Sequence, residues 1–354
     1  GNAEKGNIPA ILDEVLSGRD AGDARSAAAS RAGTAHTAAR IADFLDHSRA
    51  FVKIQDGCSA SCSYCIVPLA RGASWSVAPA AVLDQIDALC DAGFREIVLT
   101  GVHIGRYGAD LSPRSSLADL VALIIGRTKM PRLRLSSVEP TEVTARLVAL
   151  AGESGRIAPH FHVPLQSGDD EILRAMNRPY RSEAFRERIE LIARTVEGAA
   201  IGTDIIVGFP GETEERFART IALIRDLPLA YLHVFNYSPR PGTRAVAMGG
   251  QVSCAEKRRR GRMCIELGAA KRLAFERAQI GTEQLAVVEG PAGALPRYAR
   301  SLTGNYCEVL VPREGAAARS LVRVRVTREA RGKLYGEIVP GDPAVVAGEA
   351  VATS

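Results

Sequence analysis

The sequence predicts an α/β fold: an incomplete barrel of six β/α units followed by a small antiparallel β-barrel. Two observations carry this prediction. Between residues 51 and 237, β-branched apolar runs alternate with amphipathic stretches of helical period, which is typical of parallel strands joined by crossover helices. From Gln279 onward, short alternating strands are separated by Gly and Pro, which favours a small closed barrel of the OB type.

The first barrel is predicted element by element. Its strands are Phe51 to Gln55, Glu96 to Thr100, Arg132 to Val138, His160 to Leu165, Ile201 to Val207 and Leu232 to Tyr237. Its helices are Pro79 to Ala92, Leu117 to Thr128, Glu142 to Ala151, Asp170 to Met176, Ser182 to Val196 and Glu212 to Leu227. Such barrels build their sites at the carboxyl ends of the strands, so functional side chains are expected there.

The rest of the chain divides by composition. Residues 17–34 contain almost no large apolar side chain, which predicts a linker. We expect residues 1–49 to be the remnant of a preceding domain plus this linker, 50–277 the first barrel, 278–340 the second barrel and 341–354 a frayed tail. The strands of the second barrel are predicted at Gln284 to Glu289, Tyr298 to Leu302, Cys307 to Val311, Leu321 to Val326 and Leu334 to Val339.

Three of the seven cysteines lie within eight residues, just after the first predicted strand: Cys58, Cys62 and Cys65. The clustering and the odd count favour a metal in a reducing compartment, so a cytoplasmic location is expected. A closed zinc site needs four protein ligands, whereas three thiolates on a four-iron cluster leave one iron open. The alternative is a non-catalytic, zinc-stabilised RNA-binding protein in which zinc takes the three cysteines and a fourth ligand such as His47. The other cysteines are expected to be buried or half-buried hydrophobes: Cys90, Cys254, Cys264 and Cys307.

The net charge of +5 has a local origin. Between Cys254 and Arg277, eight basic residues stand against three acidic ones, which accounts for the whole excess. The basic run Lys257, Arg258, Arg259 and Arg260 is either a solvated helix face or a contact for RNA phosphates. Its position before the second barrel favours the RNA contact.

The cysteine spacing C-x3-C-x2-C, with Tyr64 before the last cysteine, resembles the radical S-adenosylmethionine (SAM) superfamily. There the three cysteines hold a 4Fe-4S cluster whose fourth iron binds SAM, and reductive cleavage of SAM gives a 5′-deoxyadenosyl radical. Longer runs resemble the methylthiotransferases: Leu99 to Gly105, Leu135 to Pro140, His162 to Gly168, Asp204 to Thr213 and Tyr237 to Thr243. The second barrel resembles a TRAM domain, an RNA-binding module.

This resemblance implies which residues bind SAM: Tyr64, Thr100, Gly101, Val102, Glu139, Gln166, Ser167 and Asp204. A glycine at the end of the second strand lets the backbone approach the SAM amino group closely. The same run also suits an ordinary strand-end turn, and Ser167 or Asp204 also suits a helix cap. His103 and His162 are expected to be structural hydrogen-bonding groups rather than catalytic ones.

Among the methylthiotransferases, the runs Phe51 to Cys58 and Leu232 to Ser238 look most like enzymes that modify N6-threonylcarbamoyladenosine beside the tRNA anticodon. Enzymes for isopentenyladenosine or a ribosomal-protein aspartate share the same core. The family uses a second 4Fe-4S cluster held by three cysteines of an amino-terminal domain, and no cysteine precedes Cys58. We therefore expect that domain to be largely missing, and sulfur insertion to be beyond this chain alone. The expected partners are tRNA, an electron donor of flavodoxin or ferredoxin type and a sulfur source.

Overall fold

The structure is a computed structural model that describes residues 47–340. The predicted amino-terminal remnant and linker, up to residue 46, and the predicted frayed tail, 341–354, lie outside the described residues. The strands of the first part are β1 (Ala50–Lys53), β2 (Gln55–Asp56), β3 (Trp75–Ser76), β4 (Glu96–Thr100), β5 (Arg132–Leu135), β6 (His160–His162), β7 (Ala200–Val207) and β8 (Tyr231–Asn236). Strands β2 and β3 form a separate antiparallel pair.

The helices lie between these strands and after them. They are α1 (Val67–Arg71), α2 (Pro79–Asp91), α3 (Leu117–Arg127), α4 (Ala145–Glu153), α5 (Asp170–Ala175), α6 (Ser182–Thr195), α7 (Glu214–Asp226) and α8 (Cys254–Arg277). Helix α4 begins at Ala145 rather than Glu142, and α7 at Glu214 rather than Glu212, because Thr144 and Thr213 are their N-caps. None of the helices described combines the length and apolar character that crossing a membrane requires.

The six main strands confirm the predicted β/α series, but their ladder is divided. Parallel pairing gives the order β1-β4-β5 in one sheet and β6-β7-β8 in another. The junction between β5 and β6 is bridged by isolated hydrogen bonds, such as Ala158 N–H to Leu133 O and Val138 N–H to His162 O. Within residues 47–340 no strand joins β8 back to β1, so the parallel wall is an incomplete barrel, as predicted.

The second barrel is closed, in the order β10-β11-β13-β12-β9. Its strands are β9 (Glu283–Pro291), β10 (Tyr298–Thr303), β11 (Glu308–Pro312), β12 (Leu321–Ala330) and β13 (Lys333–Ile338). Four of its five strand pairs are antiparallel, as predicted, and one differs, because β11 and β13 pair in parallel. A closed ring of five strands cannot alternate direction at every neighbour, so one parallel pair is unavoidable.

The second barrel packs against the amino-terminal end of the first. Glu96, at the start of β4, is fully buried and forms ion pairs with Arg132 and Arg134 of β5. These two arginines donate to backbone carbonyls of the second barrel: Leu285, Leu302, Thr303 and Gly304. Residues 57–66, which carry Cys58, Cys62 and Cys65, form the cysteine loop at the other end of the strands. The docking therefore leaves the carboxyl ends of the strands for a site.

Candidate functional site

The cysteine loop follows β2 at the carboxyl end of the first strand. Gly57 opens it with a φ of +71°, a left-handed conformation that glycine adopts at low cost. The backbone N–H of Cys58 donates to Gly72 O at 3.0 Å, and the Gln55 side chain donates to Gly57 O at 2.7 Å. These bonds fix the backbone at Cys58, from which the first thiol extends into the site.

The middle of the loop is tied to the end of α5. Ser63 donates through its N–H to Met176 O at 2.9 Å and through its hydroxyl to Ala175 O at 2.8 Å. The Asn177 amide donates to Ser61 O at 2.9 Å. Because the loop is held from both sides by backbone groups, the positions of its three thiols are set by the barrel.

The three thiols line one cavity of about 820 Å³ at this end of the barrel. Four of the residues predicted to bind SAM line the same cavity: Tyr64, Val102, Glu139 and Gln166. They come from the cysteine loop and from segments after β4, β5 and β6. The site therefore gathers residues that are up to 108 positions apart in the chain, from Cys58 to Gln166.

The other four residues of that prediction are not among those that line the cavity. A Cβ at Gly101 would lie 2.7 Å from Gln55 O, so this glycine allows close packing of β4 on β2. Ser167 accepts a hydrogen bond from the Asp169 N–H, and Asp204 accepts from His162. Thr100 accepts from the Ile54 N–H. Direct contact of these four with SAM stays a prediction.

Two cationic side chains beside the cysteines were not predicted as site residues. Arg178 Nη1 donates to Cys62 Sγ at 3.2 Å, and its other amino group pairs with Glu139. His103 Nδ1 lies 3.6 Å from Cys58 Sγ, and its Nε2 lies 3.0 Å from a Glu142 oxygen. His103 directly follows the run Thr100 to Val102 in the sequence, and this position could have identified it as a site residue. Arg178 has no comparable signal, since only the packing of α5 on the loop brings it near.

The charges of these neighbours bias the protonation of the site. The contact with His103 lowers the pKa of Cys58, whereas burial raises that of Cys65. Burial opposes the charged form of His103, but its contacts with Cys58 and Glu142 prevail and raise its pKa to about 10. Burial raises the pKa of Glu139 against the opposing effect of Arg178. The arrangement stabilises a thiolate at Cys58, the form that ligates metals.

The donor set fits an iron-sulfur cluster better than a single zinc ion. One tetrahedral zinc with Zn–S bonds of about 2.3 Å would bring its sulfurs to within about 4 Å of one another. In the described part of the chain, the three sulfurs do not all lie within 4.8 Å of one another. His47 lies before β1, in a different pocket beside Glu289 and Arg300. His47 is therefore not the fourth ligand of a metal held by these cysteines, because it lies at the opposite end of the first strand.

The basic run lies on α8, and its four members differ in exposure. Lys257 is buried and donates to Tyr237 O, and Arg260 is buried and pairs with Glu212 at 2.7 Å. Arg259 pairs with glutamates of α7 and α8, while Arg258 is exposed. Much of the charge in this segment therefore stabilises the barrel, and Lys257 and Arg260 do not face solvent as an RNA contact requires.

The four remaining cysteines follow the expectation with one exception. Cys264 and Cys307 are buried and Cys90 is half-buried, as expected for small hydrophobes. Cys254 is exposed, because it occupies the first turn of α8.

A family model described as the Radical SAM superfamily matches residues 52–224. The threonylcarbamoyladenosine tRNA methylthiotransferase MtaB of Bacillus subtilis (strain 168) is 37% identical over 290 residues, which is 80% of this chain and 64% of that protein. The tRNA-2-methylthio-N(6)-dimethylallyladenosine synthase of Desulfitobacterium hafniense (strain Y51) is 36% identical, over 82% of this chain and 65% of that protein. MtaB of Aquifex aeolicus (strain VF5) is 36% identical, over 80% and 67%. The chain thus spans about two thirds of the length of these curated relatives.

Among solved structures, coproporphyrinogen III oxidase (HemN) from Escherichia coli, described as a radical SAM enzyme, superposes with a TM-score of 0.45. It is 16% identical and covers 82% of this chain and 68% of its own. The methyltransferase TsrM from Kitasatospora setae superposes with a TM-score of 0.47 at 18% identity, over 56% and 38%.

Proposed function

This chain belongs to the radical SAM methylthiotransferase family, and from that membership we propose that it carries the SAM-cleaving core and the RNA-holding barrel of a tRNA-modifying enzyme. The proposed reaction is methylthiolation of C2 of N6-threonylcarbamoyladenosine beside the anticodon. The observation that supports it most is the convergence of Cys58, Cys62 and Cys65 on one cavity, together with Glu139 and Gln166.

In this proposal Cys58, Cys62 and Cys65 hold a 4Fe-4S cluster. When bound, the cluster supplies reductive cleavage of SAM, and the protein contributes ligation and orientation. Arg178 stabilises negative charge at Cys62 and keeps the Glu139 carboxylate in place. His103 stabilises negative charge at Cys58. The walls that receive SAM are formed by Tyr64, Val102, Glu139 and Gln166. The other predicted residues support these walls from outside the cavity: Thr100, Gly101, Ser167 and Asp204. The electron donor of flavodoxin or ferredoxin type and the sulfur source also belong to the proposal.

The choice of nucleoside has a second candidate. Relatives named for threonylcarbamoyladenosine and for dimethylallyladenosine are about equally similar to this chain, at 37% and 36% identity. The runs Phe51 to Cys58 and Leu232 to Ser238 favour threonylcarbamoyladenosine. Mass spectrometry of tRNA from a strain that lacks the gene distinguishes them: we expect loss of the methylthiolated threonylcarbamoyl nucleoside. Unchanged levels of that nucleoside, with loss of the methylthiolated isopentenyl one, would assign the second candidate.

The cluster assignment predicts that Cys62→Ala abolishes reductive SAM cleavage, because one of three thiolates is lost. The measurement is anaerobic reconstitution followed by iron and sulfide analysis and detection of 5′-deoxyadenosine. Cys254→Ala is the matched control, since this exposed cysteine lies far along the chain on α8 and should leave cleavage unchanged. Cleavage that survives Cys62→Ala, or bound zinc without labile sulfide in the unaltered chain, would refute the assignment.

A further inference from the structure

A second cluster of ligand-type side chains lies on the inner wall of the first barrel. It consists of His162 on β6, Asp204 on β7 and His233 on β8, and each offers one ligand atom within 4.8 Å of the others. None of the three lines the cavity of the cysteines. The two sites are neighbours, however, because the Gln166 N–H donates to Asp204 O at 2.8 Å.

Strand register places the three side chains on one face. His162 pairs with Gly202, and Asp204 pairs with His233. Residues two positions apart on a strand share a face, so positions 202 and 204 face the same side of the sheet. Their cross-strand partners His162 and His233 face that side too. Residues on the other face of β7, Ile201 and Ile205, belong to the hydrophobic core. The cluster therefore faces the interior of the barrel and is positioned by rigid strands.

The orientation of His162 is fixed by a tyrosine. The Tyr231 hydroxyl lies 3.1 Å from His162 Nδ1, which turns Nε2 toward Asp204 Oδ1 at 2.8 Å. A Cβ at position 202 would lie 2.0 Å from the Tyr231 ring, so Gly202 provides the space this ring needs. Metal-ligating histidines are typically held in this way through their other nitrogen.

The carboxylate completes a donor set. Within the described residues, both ion-pair partners of Asp204 are imidazoles: His162, and His233 through Nδ1 at 3.2 Å. Two imidazole nitrogens and one carboxylate oxygen form the set that proteins use for zinc and for non-haem iron, with positions left for other ligands. The His233 side chain is 54% exposed, so solvent reaches the cluster from the side of β8.

We propose that His162, Asp204 and His233 form a mononuclear site for a divalent transition-metal ion such as Zn²⁺ or Fe²⁺, with an open position for water or an anionic ligand. The site is distinct from the cysteine triad in both residues and donor chemistry. Its three ligands come from three adjacent strands, so it requires the folded barrel.

The test is an anaerobic titration of the metal-free full chain with Co²⁺, followed by competition with Zn²⁺. Thiolate-bound Co²⁺ shows sulfur-to-metal charge-transfer absorption, whereas a site of two nitrogens and one oxygen shows ligand-field bands without it. We expect the nitrogen and oxygen class in the unaltered chain and equally in Cys62→Ala, and its loss in Asp204→Asn. Tyr231→Phe should weaken Co²⁺ binding of this class by roughly 10- to 100-fold.

His233→Ala keeps the proposal testable if Asp204→Asn fails to fold, because His233 is exposed and its loss leaves the core unchanged. Asp119→Asn, which alters an exposed carboxylate paired with Arg146, is the matched control and should bind as the unaltered chain does. Absence of the nitrogen and oxygen class in the unaltered chain, or its persistence in His233→Ala, would overturn the proposal and leave the cluster as a hydrogen-bonded network.

Discussion

Arg178 shows how one side chain can link a cysteine of the site to a residue in the wall of the cavity. Its side chain is 5% exposed and contacts both the Cys62 sulfur and the Glu139 carboxylate. It also lies against the ring of Tyr180, whose hydroxyl accepts a hydrogen bond from it at 3.1 Å. A cation so enclosed serves as a positioning residue, since it neutralises charge on two groups that belong to different segments.

We predict that Arg178→Met lowers SAM affinity, and that it lowers metal affinity at the cysteines by roughly 10- to 100-fold, the range typical of outer-shell partners of metal sites. The physical reason is the loss of the donor to Cys62 and the loss of the cation beside Glu139. Anaerobic SAM titration with iron quantification measures both effects. Arg174→Met removes an exposed arginine paired with Glu171 on α5, and it should bind SAM normally. Equal affinities for the two variants would contradict this role.

At the scale of elements, the cysteine loop depends on two glycines that differ in their surroundings. Both have positive φ, +71° at Gly57 and +77° at Gly72. A Cβ at Gly57 would lie 2.0 Å from Ala73 O, whereas a Cβ at Gly72 meets nothing within 4 Å. Alanine should cost about 1–3 kcal/mol at Gly72 from backbone strain alone, because its ψ of −167° at positive φ lies in a region that is essentially confined to glycine, and more at Gly57.

Alanine substitutions at Gly72 and Gly57 therefore distinguish the effect of backbone strain alone from the effect of moving the cysteine loop. We expect Gly57→Ala to lose bound iron, because the backbone that carries Cys58 must move away from Ala73. Gly72→Ala should keep its iron and lower only the midpoint of denaturant unfolding. Iron content after reconstitution and an unfolding curve for each variant decide the matter; comparable iron in both variants would show that the loop tolerates the shift.

Helix α8 offers a second pair of matched variants. Arg258→Ala should weaken tRNA binding and reduce the salt dependence of affinity by about one phosphate contact, without lowering stability. Arg260→Ala should instead destabilise the fold by about 3–5 kcal/mol, because it leaves the buried Glu212 without its partner. Filter binding at several salt concentrations and thermal unfolding test both. Unchanged binding by the Arg258 variant would remove α8 from the proposed RNA surface.

Local signals explain which elements could be predicted. Apolar periodicity located all six main strands and their helices, and the later starts of α4 and α7 arise from capping by Thr144 and Thr213, which is also local. The division of the parallel sheet between β5 and β6 has no local signal, because it depends on how the strands curve. In the site, spacing identified the cysteines, but Arg178 reaches Cys62 only through tertiary packing.

For the whole molecule, the joint between the two barrels is electrostatic and buried. We predict that Glu96→Gln destabilises the protein by about 3–5 kcal/mol, because Arg132 and Arg134 lose their anionic partner. Glu283→Gln alters a more exposed pair with Arg325 and should cost less than about 1 kcal/mol. Calorimetric unfolding of the two variants compares them. Similar losses would mean that the buried pair contributes no more than the surface one.

The same joint predicts a sensitivity to acid. Burial opposes ionisation of Glu96, but Arg132 and Arg134 prevail and hold its pKa at about 2, below the ordinary value of about 4.5. A carboxyl with a lowered folded-state pKa stabilises the fold above its unfolded value, and this stabilisation is lost as pH falls. Stability should therefore decline from about pH 4.5 toward pH 2. In Glu96→Gln this part of the decline should be absent.

The second barrel is attached to the amino-terminal end of the first, so the height of the first barrel separates the second barrel from the cavity of the cysteines. The longest strand of the first barrel, β7, has eight residues and extends about 26 Å. An RNA of the proposed kind that is held by the second barrel and reacts beside Cys58 must span at least this height, about eight base steps of a duplex. A free nucleoside or a trinucleotide is too short to touch both ends, so for the proposed function we expect the height of the first barrel to set a minimum substrate length.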